Sequence, residues 1–126
     1  MDWQQAVEYC AELSIDDHSD WRLPTISELR SLIRGCTATE TGGSCGVSDS
    51  CLDYSCWDDS CQSCDYEEGP ANGYYWPDGM NGEYGLFWSS SSAGSDDAWY
   101  VHFSYGNLYH YDKSYYHGTC CVRSGQ

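Results

Sequence analysis

Apolar positions in the first thirteen residues recur at helical spacing. Trp3, Ala6, Val7, Cys10 and Leu13 fall on one side of a 3.6-residue turn, with Gln4, Gln5, Glu8 and Glu12 opposite. The pattern predicts a short amphipathic helix over DWQQAVEYCAEL. A polar loop, IDDHSD, leads to Trp21-Arg22-Leu23-Pro24 and then to Thr25-x-x-Glu28. A threonine followed three residues later by glutamate is the signature of a capping box, in which each side chain bonds the other residue's amide. Ile26, Leu29, Leu32 and Ile33 give the second helix its apolar face, and Gly35 supplies a left-handed stop.

From Cys36 to about Asn81 periodicity disappears, and Gly, Ser, Asp and Cys dominate, with Pro70 and Pro77 as breakers. A structureless stretch of this length is uncommon in a compact domain unless something holds it. Cys36, Cys45, Cys51, Cys56, Cys61 and Cys64 are the available fasteners, and six cysteines allow fifteen pairings among which the sequence does not choose. The segment is expected to be a disulfide-stapled cover over the sheet, anchored by Trp57, Tyr66, Tyr74, Tyr75 and Trp76. The competing reading is zinc, because Cys51, Cys56, Cys61 and Cys64 end in a C-x-x-C. Structural zinc modules usually present two such pairs, and only one is present.

Strand patterning follows. Leu86-Phe87-Trp88-Ser89 reads as a buried strand. From Ala98 to Ser104, Trp99, Val101 and Phe103 alternate with Tyr100, His102 and Ser104. Tyr105-Gly106-Asn107 signals a reversal into a strand over Leu108 to Tyr111, and Cys120 to Arg123 forms a last one. Two helices followed by antiparallel strands predict one α+β domain over 1–126. If the first helix packs on that sheet, Cys10 and Cys121 must meet, so a disulfide is expected between them.

Composition sharpens the setting. Nine cysteines in 126 residues suit an oxidising environment, so a secreted or cell-surface location is expected. The odd count leaves one thiol unpaired or available to a partner. A formal net charge of −15, with Lys113 the only lysine, argues against nucleic acid, heparin and anionic membranes. No apolar run approaches the ~20 residues that span a bilayer. The sequence opens directly on a helix, and an export signal is expected to lie outside it.

The stretch from Tyr100 to Thr119 carries the functional signal. Fourteen of its twenty residues are Tyr, His, Asn, Asp, Ser or Thr, and six are Tyr. Paratopes use this mixture, with Tyr as rigid amphipathic contact area and small polar residues as adaptable hydrogen-bonding groups. The candidate ligand-binding residues are Tyr100, His102, Tyr105, Asn107, Tyr109, Tyr111, Asp112, Tyr115, Tyr116 and His117. A neutral glycan or a protein is the expected ligand; the bland alternative is an exposed hairpin with no partner. Catalysis is not expected. His102, His110 and His117 are possible bases and Ser89 to Ser92 offer hydroxyls, but no nucleophile motif is present. Adjacent Cys120 and Cys121 point opposite ways on a strand. No cofactor is expected. Calcium is the one considered, because of Asp58-Asp59, Glu67-Glu68 and Asp96-Asp97, but no EF-hand spacing occurs and a solvated acidic surface is favoured. Arg22 and Arg123 are assigned to structure, paired with carboxylates such as Asp20 or Glu28.

Five blocks occur in order: W-x-x-A-x-x-Y-C-x-x-L (Trp3 to Leu13), D-W-R-L-P-T-x-x-E-L (Asp20 to Leu29), W-S-S-S (Trp88 to Ser91), A-W-Y-V-x-F-x-x-G (Ala98 to Gly106) and C-V-R (Cys121 to Arg123). Together they resemble the Lcl C-terminal domain family. The resemblance implies a C-type-lectin-like fold, a bacterial surface or secreted location, and ligand binding or adhesion without known catalysis. The collagen-like adhesin that names the family engages sulfated polysaccharides, a ligand class that this chain's acidity disfavours. Family members usually begin with a strand before the first helix. Its absence here leads to the expectation that a second copy or a parent assembly supplies a sheet edge. Two alternative roles follow: a structural subunit of a surface assembly, and a receptor-binding protein diversified by a retroelement. In the latter, randomised adenines would yield the Asn, Tyr, His, Asp and Ser of the tail, and an unpaired Cys120.

Overall fold

A computed structural model describes residues 1–15, 17–62, 64–80 and 85–123. Asn81, the far limit of the expected insertion, lies outside the described residues. The elements are α1 (Trp3–Glu12), β1 (Trp21–Arg22), α2 (Ile26–Arg30), single 3₁₀ turns at Tyr54–Cys56 and Asp59–Cys61, then β2 (Leu86–Ala93), β3 (Asp97–His102), β4 (Asn107–Asp112) and β5 (Val122–Arg123). An antiparallel sheet has the order β2-β3-β4, and β1 pairs with β5. The class is α+β, as the patterning predicts.

Both helices start on reciprocal caps. The Asp2 carboxylate accepts from the Gln5 amide at 2.9 Å while Gln5 Oε1 accepts from the Asp2 amide at 3.0 Å. In α2 the Glu28 amide donates to Thr25 Oγ1 at 3.2 Å and the Thr25 amide to Glu28 Oε1 at 2.8 Å. The second helix is shorter than expected: it ends at Arg30, and Leu32 and Ile33 follow in a turn. Gly35 takes the left-handed conformation anticipated for it, with φ 89°.

Two cores form, one on each sheet face. Phe87, Trp99, Val101 and Leu108, with Phe103 just past β3, pack against Ile26, Leu29 and Ile33 of the α2 region and Val47, Tyr75 and Trp76 of the insertion. On the reverse face Trp88 and Ala98 lie under Ala6 and Cys10 of α1 and Leu23. Period-two alternation along β3 thus feeds both cores. Each fully buried large apolar side chain contributes about 1.5–3 kcal/mol, so Trp99 and Leu108 are anchors rather than surface.

The strand expected at Leu86 to Ser89 continues to Ala93 through a serine run. Ser89 Oγ donates to the Trp99 carbonyl at 2.7 Å, and Ser91 Oγ accepts from the Ile26 amide at 3.0 Å. These partners let hydroxyls sit inside, where an unbonded one would be costly. Beyond β2, Gly118 donates to the Leu86 carbonyl and accepts from the Trp88 amide. A Cβ at Gly118 would stand 2.6 Å from the Leu86 oxygen. The Ser90 amide donates to the Pro24 carbonyl, so this edge is covered from within the chain from Leu86 to Ser90.

Four disulfides form: Cys10–Cys121, Cys36–Cys64, Cys45–Cys61 and Cys51–Cys56, with Cys120 unpaired. The expected Cys10–Cys121 bridge is present, and the four cysteines of the zinc reading are all disulfide-bonded. Arg30 completes the insertion from within. Its guanidinium, 6 % exposed, donates to the carbonyls of Thr39 (2.6 Å), Val47 (2.7 Å), Gly43 (3.3 Å) and Ala38 (3.4 Å). A loop without a ladder leaves carbonyls unpaired, and this one cation serves four of them. Among the described residues no helix is long and apolar enough to cross a membrane.

Candidate ligand-binding surface

The hairpin β3–β4 and the insertion that runs beside it form the candidate site. β3 and β4 pair with Tyr100 opposite Tyr109, Ala98 opposite Tyr111 and His102 opposite Asn107. Alternation puts these six on the α1 side of the sheet. α1 covers Ala98, and beyond it the face is tyrosine, histidine and asparagine.

Three hollows meet along the hairpin. The central one, about 490 Å³, is lined by Trp57, Asp59, Gln62, Cys64, Tyr100, Tyr105, Asn107, Leu108 and Tyr109. A second, about 590 Å³, shares Tyr105 and is bounded by Tyr66, Glu67, Tyr74, Leu86, His102 and Ser104. A third, about 390 Å³, shares Tyr109 and is lined by Asp97, His110, Tyr111, Asp112 and Tyr115. Eight of the ten predicted residues therefore border one of three adjoining concavities. Tyr116 is 72 % exposed and lines none of them. His117 is packed inward, its ring 4.4 Å from that of Trp88 and 4.7 Å from that of Tyr100. Its main chain exchanges bonds with Met1, tying the tail to the amino terminus.

Sequence reasoning missed the contribution of the insertion to these walls. Trp57, expected as a hydrophobic anchor, is one: its ring is half-buried, its N–H donates to the Leu108 carbonyl at 2.7 Å, and its centroid lies 5.3 Å from that of Tyr109. Asp59 and Gln62 had no periodicity to mark them, and Tyr66, expected as an anchor, is 54 % exposed and walls the second hollow instead. His110 was weighed as a base. Its Nδ1 is 2.7 Å from Asp97 Oδ2, and Tyr54 stacks on its ring at 4.3 Å.

The surface is neutral to acidic. Burial pushes the Tyr100 hydroxyl up to about 12, helped by Tyr109 and Tyr111. A hydrogen bond with Tyr115 raises Tyr111, and one with Glu67 raises Tyr66. These phenols stay protonated and can donate as well as accept. Hydrogen bonds from Ser114 hold the Asp112 carboxyl below its usual range, and burial lowers His117, which is therefore neutral near pH 7. Among the described residues Asn107 Oδ1 is buried and lacks a hydrogen-bond partner.

No lysine or arginine borders the three hollows. All five cations are engaged in the fold. Arg22 forms a bidentate pair with Glu28 at 2.7 and 2.8 Å, and Arg123 pairs with Asp20 at 2.9 Å, the structural roles assigned to them. Arg30 is buried, Arg34 bonds the Ser31 and Ile33 carbonyls, and Lys113 lies 4.3 Å over the Trp3 ring. Among the described residues no group of three or more His, Cys, Asp or Glu is placed to hold a metal ion.

Compared with known proteins, the family model described as the Lcl C-terminal domain matches residues 1–123. No curated protein and no solved structure matches the chain.

Proposed function

The chain belongs to the Lcl C-terminal domain family, and from that premise we propose that it is an extracellular binding module that captures a neutral glycan or a protein on the β3–β4 hairpin. The observation that carries this reading is the clustering of eight Tyr, His, Asn and Asp side chains around three adjoining hollows with no cation among them. Aromatic walls with a few convergent polar groups are what ligand pockets are made of. Four disulfides suit an oxidising exterior. Two helices on a small antiparallel sheet, closed by a bridge from the first helix to the last strand, support a C-type-lectin-like fold. Sulfated polysaccharides do not suit this surface, because the five cations are held elsewhere and carboxylates rim the hollows. Binding rather than catalysis is proposed, since the tyrosines are held as neutral phenols and His117 is enclosed by rings.

The test is a glycan array and a protein pull-down run in parallel on the native chain and on a Tyr109→Ala/Tyr111→Ala/Tyr115→Ala variant. These tyrosines are 38 %, 40 % and 53 % exposed, so their loss removes surface. Binding should vanish while the fold persists, with stability lowered only by the ring pairs lost, about 0.5–1.5 kcal/mol each. Retained binding in the variant defeats the reading.

A further inference from the structure

We propose that the central cleft, between the insertion and β4, is a subsite for a single uncharged pyranose ring. The inference rests on the binding role argued above and goes further, naming the ligand class and bringing in residues of the insertion.

Chemistry of the lining selects the ligand. Trp57 and Tyr109 wall the cleft with rings tilted by 59° at 5.3 Å, and Tyr105 and Tyr100 extend the aromatic surface. The Trp57 ring is fixed, because its N–H is bonded to Leu108. A rigid aromatic wall accepts the C–H face of a sugar at little entropic cost. The polar complement is one of amides and a carboxylate: Asn107, Gln62 and Asp59. Asn107 Oδ1 is buried and has no partner. An unpaired buried amide oxygen is costly, and a donor on a ligand offsets that cost. Asn107 also borders the cleft, so its amide is a polar group there with bonding capacity to spare.

Charge narrows the class. Among the described residues Asp59 is the only formally charged group of the lining, so sulfates, phosphates and uronates are repelled while neutral hydroxyls are not. Size agrees: about 490 Å³ falls within the range of small-ligand sites, ~300–1,000 Å³. The concavity also favours a sugar over a protein epitope, whose interfaces spread over a broad patch.

The experiment titrates the full chain, with indole N–H and amide signals followed by NMR. The probes are the methyl glycosides of glucose, galactose and mannose, with glucuronic acid and galactose 6-sulfate as charged controls. At least one neutral glycoside should shift the Trp57 indole N–H, and neither anion should. Asn107→Ala removes no hydrogen bond within the protein and should weaken that response at least tenfold, whereas Tyr116→Ala should not alter it. No response of Trp57 to any neutral glycoside, or a stronger response to the anions, overturns the inference. If a ligand from the array or pull-down depends on Tyr109, Tyr111 and Tyr115 but ignores Asn107→Ala, the sugar subsite is wrong and the hairpin reading stands. If no ligand depends on the hairpin, the broader reading fails as well.

Discussion

The indole N–H of Trp57 donates to the carbonyl oxygen of Leu108 at 2.7 Å, across 51 positions of sequence. β4 is an edge strand, and this bond serves a carbonyl on its open side while planting an aromatic wall beside Tyr109. One side chain thus ties the insertion to the sheet and shapes the cleft. An edge carbonyl that is covered but unbonded costs stability, so the tie has a measurable worth.

Trp57→Phe keeps a ring and removes the donor. The variant should lose about 1–3 kcal/mol in urea unfolding, the cost of an unpaired buried carbonyl. Unchanged stability would mean that water serves Leu108 as well as the indole does.

The four disulfides should not be equal. In the chain-entropy account the 111-residue separation of Cys10–Cys121 is worth about 5 kcal/mol, against about 2 kcal/mol for the 5-residue separation of Cys51–Cys56. Paired Cys→Ala variants should follow this order, with Cys36–Cys64 and Cys45–Cys61 between. Under graded reductant, hydrogen exchange should rise first in residues 36–64, while Trp99 and α2 hold longer. Release by a chelator and not by a reductant would contradict the disulfide account.

Much of this was legible because local chemistry decided it. The Thr25–Glu28 box, the alternation from Ala98 to Val101 and the Gly106 turn all follow from short patterns with a single physical outcome, and the meeting of Cys10 with Cys121 follows from packing the first helix on the sheet. The remainder depends on partners far away in sequence. β1 is only Trp21–Arg22, too short to alternate, and exists because β5 lies beside it. The serines of β2 look like a loop until Trp99 and Ile26 supply their bonds. Arg30 reads as a polar residue at the end of a helix, and is buried because residues 38–47 wrap back over it. The candidate site follows the same division: its hairpin tyrosines are visible in composition, whereas Trp57, Asp59 and Gln62 reach it only through the path of the stapled insertion.

Two acid limbs are expected in the pH dependence of stability. His117 is held below its ordinary value of 6.5 by burial, with His102 and the amino terminus adding to the effect. Below about 6.5 the unfolded chain takes up a proton that the folded one resists, so stability falls as pH drops through this value. Glu28 is lowered from 4.5 to about 2 by its bond with Arg22. Its contribution is present above 4.5 and is lost as pH falls from 4.5 towards about 2. Urea midpoints across pH should show both limbs, His117→Phe flattening the upper and Glu28→Gln the lower. A His117→Phe profile that matches the native one would show the ring to be accessible to protons.

Where a ligand lands decides whether the hairpin is the binding surface. Amide hydrogen exchange should be compared with and without the partner that the array or pull-down returns. The expected footprint is slowed exchange in residues 107–116 and around Trp57, with the outer side of α1 unchanged. Protection confined to α1 and residues 17–20, with β4 unaffected, would contradict the hairpin as the binding surface.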